Sequence, residues 1–278
     1  MTKARKKILI LFLLFIPAST AFAVHFAVLE YEGCYNQKTQ AVDIMPIITK
    51  GELNENDYKT LFYQTGLGRA AIDPLLSDKK NGCINILRFQ SRFLSKIEVK
   101  SEFIFPTTKS EYLKSGENLL VSVKDGYILV TKACHTLGWR HGHAAIVTDA
   151  ASEQTLESIL IGSNSEYQTL EKWRHHPTVI ILKPKGLTDE QLKAAAEYAK
   201  QSLNNIPYDL FAGFAKPKDK KNAAVKGTQC SHLVWKAYER YGINIDSTGG
   251  LFVTPRDIAL SPELEVVQII GVNPDDIW

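Results

Sequence analysis

The sequence predicts an α+β fold, a small antiparallel sheet packed on helices and preceded by a helical N-terminal appendage. Three observations predict it. Residues 24–115 carry mainly helical periodicity, with apolar side chains recurring every three or four positions. From about residue 116 the texture changes to short β-branched runs separated by turn residues. Among those runs lie two helical patterns whose buried faces are built from small and apolar residues, suited to lying against a sheet.

The chain opens as a secretory signal. Lys3, Arg5, Lys6 and Lys7 form a basic region, Ile8 to Ile16 an apolar one, and Ala21-Phe22-Ala23 a small-x-small cleavage site. The apolar run is shorter than the roughly 20 residues needed to span a bilayer. An uncleaved anchor is the alternative. Cleavage after Ala23 leaves about 255 residues beginning at Val24 and moves the formal charge from +3 to −1. The mature chain therefore gives no electrostatic reason to bind nucleic acid, and no later segment reads as a membrane span. Export permits disulfides. Of Cys34, Cys83, Cys134 and Cys230, the first two share the N-terminal third and form the candidate pair, with unpaired structural cysteines as the alternative.

Within the appendage Asn54 caps a helix with Tyr58, Leu61 and Phe62 on one face. Gly66-Leu67-Gly68 ends it. A further helix runs through Ile86, Phe89, Phe93 and Ile97, and Phe105-Pro106 breaks the pattern. Leu119–Val123 and Tyr127–Val130 read as strands around Lys124-Asp125-Gly126, followed by strands at Ala144–Thr148, Thr155–Ile161 and Val179–Leu182. Thr188 and Gln191 make a capping box for a helix with Leu192, Ala195, Ala196 and Ala199 on one face, which Asn204-Asn205-Ile206-Pro207 ends. Gln229 or Cys230 opens the next helix, with Leu233, Val234, Ala237 and Tyr238 at helical spacing. Residues 216–226 read as a basic, solvated loop. This gives three segments: a signal peptide over 1–23, the appendage over 24–115 and a core domain over 116–278.

Cys230 lies at a helix start after a loop, where the macrodipole favours thiolate. A small buried core thiol is the alternative. His143 begins the run Ala144-Ala145-Ile146-Val147, whose small residues let a helix-borne thiol approach the imidazole. Glu157, on the next strand of a hairpin, is placed to orient the ring through its other nitrogen. Asp149 is nearer in sequence but falls in the turn. His232 is two residues from Cys230 on a helix and points elsewhere. Tyr208, in Pro207-Tyr208-Asp209, is either a second oxyanion donor or a core tyrosine. Cys134, His135, His141 and His143 cluster in sequence, with His175-His176 further on, but match no structural zinc spacing. No metal and no cofactor are expected. Gly66-Leu67-Gly68 lacks the lysine and the preceding strand of a phosphate loop.

These residues resemble those of the circularly permuted papain-like hydrolases, the permuted branch of the NlpC-type cell-wall cysteine peptidases that includes the YiiX/YycO-like proteins. The matching pieces are Gly126–Val130, Arg140–Val147, Leu156-Glu157-Ser158, Pro207-Tyr208-Asp209, Gln229–Val234 and Thr254–Ile258, in that order, over roughly residues 116–270. The histidine precedes the cysteine, as in the permuted branch. One departure is Asp125-Gly126-Tyr127 where the family usually carries Gly-Asp, and the appendage has no counterpart in the minimal fold. The resemblance implies a secreted or cell-envelope cysteine peptidase or amidase acting on peptidoglycan peptides or another small amide or acyl substrate. Cys230 would be its nucleophile, His143 its base and Glu157 the orienting acid. The alternatives are a lipid acyl hydrolase or acyltransferase of the same permuted fold, and a catalytically silent binding module.

Overall fold

A computed structural model describes residues 15–17, 19–20, 34–105, 108–136, 138–214 and 224–278. The signal segment and its cleavage site lie outside these residues except for 15–17 and 19–20, and so does most of the basic loop. The chain is a mixed α/β structure with antiparallel sheets.

Between residues 45 and 93 the chain forms four helices: α1 (Met45–Ile48), α2 (Glu55–Thr65), α3 (Arg69–Ser77) and α4 (Gly82–Phe93). Asn54 caps α2 with a reciprocal box, its side chain accepting from the Asp57 N–H while the Asp57 carboxylate accepts from the Asn54 N–H. The Gly66-Leu67-Gly68 stop does more than end that helix. Gly66 has φ 70°, the Ile269 N–H donates to its carbonyl at 2.8 Å, and the Gly68 N–H donates to Val267 at 2.9 Å. A Cβ on Gly68 would lie 1.9 Å from the Val266 carbonyl oxygen. Backbone contact this close admits only glycine.

The appendage is not helical to its end. Strands β1 (Val99–Phe105) and β2 (Thr108–Leu113) form a hairpin, and β4 (Cys134–Thr136) extends it to three antiparallel strands. The alternation of charged and apolar residues there is short and was masked by the helical periodicity before it. Ile97 is buried but lies beyond the end of α4, and α3 went unpredicted.

The main sheet has six antiparallel strands in the order β7-β6-β5-β3-β8-β9, with β3 Ile128–Thr131, β5 His143–Asp149, β6 Gln154–Glu157, β7 Glu166–Thr169, β8 Val179–Pro184 and β9 Leu264–Ile270. The central strands read as unbroken apolar runs because Ile128–Val130, Ala144–Val147 and Val179–Ile181 are fully buried. Leu119–Val123 is not a strand. The side chain of Gln268 takes over the pairing, accepting from the Val121 N–H at 2.9 Å and donating to the Leu119 carbonyl at 2.8 Å. Strand β6 stops at Glu157 rather than running to Ile161.

Helices α6 (Asp189–Ser202) and α7 (Cys230–Glu239) pack on β5 and on each other, and α8 (Pro255–Ala259) packs on β3. Leu192, Ala195, Ala196 and Ala199 of α6 are buried. Their small side chains let the helix lie close to the sheet. One continuous apolar cluster joins Leu61, Ile72 and Ile86 of the helical segment to Ile128, Ile180 and Val267 of the sheet. Among the described residues no helix is long and apolar enough to cross a membrane.

Candidate active site

Helix α7 begins at Cys230 and strand β5 begins at His143. The packing of α7 on β5 brings the two ends together. Gln229 is the N-cap residue. Its side-chain oxygen accepts from the Ser231 N–H at 2.9 Å and the Ser231 hydroxyl at 2.8 Å, and its amide donates to the Val253 carbonyl at 3.1 Å. These bonds turn the Gln229 side chain back into the helix start and hold the 247–253 loop against it.

Glu157 reaches the same place through strand register. Ile146 stands opposite Leu156, so Glu157 lies diagonal to His143 on one face, with the small Ala145 between them. His143 Nε2 is 2.7 Å from Glu157 Oε2, which leaves the other ring nitrogen available to the Cys230 thiol, whose interaction with the ring raises the ring's pKa. The structure thus brings Cys230, His143 and Glu157 together: the carboxylate bonds the ring, the thiol and the ring favour each other's charged forms, and Cys230 Sγ lies 3.5 Å from the Gln229 side-chain oxygen.

Glu157 is fully buried. Its Oε1 accepts from the Thr155 hydroxyl at 2.7 Å and from Trp173 Nε1 at 3.0 Å. Its Oε2 accepts from His143 and from the Lys172 ammonium. Burial alone would raise this carboxyl, but His143 and Lys172 hold it well below the usual carboxylate range. His143 shows the opposite contest. Burial disfavours its charged form, yet the bonds to Cys230 and Glu157 push it up to about 9. Burial also works against the Cys230 thiolate, but His143 outweighs it, helped by the Ala144 and Ser231 N–H groups, and the thiol falls below its ordinary value.

Lys172 and Trp173 escaped the sequence reading. Both lie on α5 (Glu171–His175), a helix too short to show periodicity. Trp173 is buried and stacks on the His143 ring, with centroids 5.9 Å apart and planes at 19°.

The remaining candidates have other roles. Tyr208 is half-buried, and burial followed by the nearby Cys230 charge raises its hydroxyl. That hydroxyl has no partner among the described residues, so it is free to donate to a developing oxyanion. Asp149 accepts from the Ser152 N–H at 3.1 Å in the turn after β5, and Asp125 accepts from the Ala150 N–H at 2.7 Å. His232 faces the Thr228 hydroxyl at 3.1 Å and is not the partner of Cys230. The four clustered donors separate. His141 lies between Thr136 and the Gly142 carbonyl, Cys134 faces Ser110 at 3.6 Å, and His135 sits 3.6 Å from Glu111. Cys34 and Cys83 are both free thiols, facing the Pro177 and Ile48 carbonyls respectively, so the expected pairing is not made. Among the described residues one group of metal-type donors does converge, at the surface: Glu117, Glu171 and His175, with ligand atoms within 4.8 Å of one another.

No protein-family model matches the chain. It is 29% identical over 157 residues to the uncharacterized protein YycO of Bacillus subtilis (strain 168), a match covering 56% of this chain and 60% of YycO. The likeness to YycO-like proteins that the motifs suggest is therefore shown, over less than two thirds of that relative's length. A solved structure, the metalloprotein yiiX from Escherichia coli O157:H7, aligns with 52% of this chain and 97% of its own at 18% identity and a TM-score of 0.41.

Proposed function

We propose that the protein is a secreted cysteine hydrolase with a permuted papain-like core over residues 116–278, cleaving an amide bond in cell-wall peptides. The observation that carries the reading is the buried imidazole of His143, hydrogen-bonded to a buried carboxylate and beside a helix-start thiol whose charge it supports. A satisfied core histidine has no need of a thiolate partner at a helix N-terminus.

The Cys230 thiolate attacks the carbonyl carbon. The oxyanion forms against the Cys230 N–H at the start of α7, with the Tyr208 hydroxyl as second donor. Imidazolium at His143 gives its proton to the departing amine, leaving a thioester on Cys230. His143 then takes a proton from water, whose oxygen attacks the thioester carbonyl, and the thiol leaves as thiolate beside a reprotonated imidazole. Glu157 keeps the Nε2–H of His143 directed inward throughout.

A second reading, acyl chemistry on lipids, is favoured by one feature. Leu210, Phe211, Phe214 and Leu251 are 54%, 66%, 50% and 60% exposed, and Phe252 lies between the two phenylalanines. Their loops join the site through the Tyr208–Thr228 bridge and the Val253 carbonyl. Apolar surface this concentrated marks an interaction site. Incubating the mature protein with purified muropeptides and, separately, with phospholipid vesicles decides between the readings. Cys230→Ala is expected to abolish whichever hydrolysis is seen. Full activity in that variant, or no turnover of either substrate class, refutes the proposal. Export is tested by sequencing the N-terminus of secreted material, expected at Val24.

A further inference from the structure

The β1–β2 hairpin belongs to the segment outside the catalytic motifs, yet its contacts converge on the histidine. Glu111 of β2 is 6% exposed and its carboxylate grips Arg140 with two bonds, 2.7 and 2.9 Å. Arg140 also donates to the Lys132 carbonyl at 3.3 Å. It lies three residues before His143, in the loop that delivers that residue to the start of β5. The loop is held from the hairpin side at two further points. The Gly142 N–H donates to the Cys134 carbonyl at 2.9 Å. Thr136 contacts His141 at 3.1 Å while itself bonded to Thr108 of β2 at 2.9 Å. Gly142 turns with φ 71°, and a Cβ there would lie 2.6 Å from the Thr131 carbonyl oxygen, so the turn has little room to shift.

A second route leaves the same residue. The Glu111 carbonyl accepts from His176 Nδ1 at 3.1 Å. The His176 ring stacks on Tyr112, with centroids 5.2 Å apart, and meets Trp173 edge-on at 5.5 Å. Trp173 in turn stacks on His143 and donates to Glu157. One residue of the hairpin therefore braces the catalytic ring from its own loop and from the aromatic packed against it.

We propose that Glu111 and Arg140 are positioning residues: their buried fork makes the hairpin a support that sets the imidazole of His143 against Cys230. This rests on the reading of those two residues as base and nucleophile. A buried bidentate carboxylate–guanidinium pair suits the task because it fixes both distance and plane, which a lysine cannot do. It does not reach the substrate and takes no part in the chemistry.

The test is the pH dependence of Cys230 alkylation by iodoacetamide in the full mature chain, read on the Cys230 peptide so that Cys34, Cys83 and Cys134 do not contribute. Arg140→Lys keeps the charge but gives up the fork. Glu111→Gln keeps the shape but removes the anion from beside Arg140 and His135 and from the field felt by Cys34. A displaced imidazole supports the thiolate less, so both variants are expected to raise the Cys230 pKa by about one unit, an alkylation rate about tenfold lower at pH values below the wild-type pKa. Charge alone predicts the opposite for Glu111→Gln, since losing a nearby anion favours thiolate. Leu113→Ala, which weakens the hairpin without touching either bond, is expected to keep the wild-type profile. An unchanged profile in Arg140→Lys, or an equal shift in Leu113→Ala, overturns the proposal, and Arg140→Lys decides alone if Glu111→Gln does not fold. His143→Ala separates the two levels. If it leaves the profile unchanged, the catalytic reading itself fails. If it shifts the profile and Arg140→Lys does not, only the positioning role fails.

Discussion

Glu157→Gln is the most informative single change, because every lone pair of this carboxylate is in use. Four donors converge on it: the Thr155 hydroxyl, the Trp173 indole, the His143 ring and the Lys172 ammonium. An amide of the same shape can keep the first two on its oxygen. On the other side it presents an NH2 group to His143, where a carboxylate accepted. The imidazole must then accept through Nε2 and carry its proton on Nδ1, facing Cys230. That is the wrong tautomer for a base, the same fault that disables a triad when its aspartate becomes asparagine. The electrostatic loss can be sized. Raising His143 from its ordinary 6.5 to about 9 corresponds to roughly 3 kcal/mol in favour of imidazolium, at about 1.4 kcal/mol per pH unit. Cys230 and Glu157 share that support. Losing about half of it shifts the thiol–thiolate equilibrium about tenfold towards thiol. Iodoacetamide alkylation of Cys230 across pH measures this directly, and turnover is expected to fall further because the tautomer fault adds to the lost charge. A wild-type alkylation profile in Glu157→Gln would show that the carboxylate neither orients nor charges His143, and the reasoning would fail.

Tyr208→Phe is expected to lower turnover about 100-fold, the usual cost of an oxyanion donor, while leaving Cys230 alkylation unchanged. An equal loss in both assays would make Tyr208 a packing residue instead. The pH–rate profile is expected to be bell-shaped, with its lower limb at a depressed Cys230 and its upper limb near 9, where His143 loses its proton. Lys172→Met removes a cation beside the imidazolium, which favours the protonated ring, so the upper limb is expected to move to higher pH. A move to lower pH refutes the ion pairing described for Glu157.

Much of the site was legible because its chemistry is local to each residue. The thiol at a helix start, the histidine at the head of a small-residue strand and the carboxylate on the next strand each carry a signal in their own neighbours. The Thr188–Gln191 and Asn54 caps were legible for the same reason, since capping acts within one turn. What failed was non-local. The pairing of Leu119–Val123 is satisfied by the side chain of Gln268, almost 150 residues on, and nothing in that stretch announces it. The β1–β2 hairpin needs the edge of β4 to become a sheet. Lys172 and Trp173 sit on one turn of helix and matter only because a buried carboxylate lies across from them.

Lys172 also bears on why a half-buried thiolate is tolerable here. Moving a single ion out of water costs several kcal/mol even after relaxation. Cys230 as thiolate, half-buried, and Glu157 as carboxylate, fully buried, are two anions close together, and imidazolium at His143 offsets only one of them. Lys172, whose side chain is 27% exposed, supplies the second positive charge while keeping a route to solvent. The set of four is neutral as a thiolate–imidazolium pair. It is equally neutral as thiol and imidazole, so proton transfer from Cys230 to His143 changes the arrangement of charge without changing its sum. In the proposed cycle the site can therefore move that proton in both directions without burying an uncompensated charge at either end.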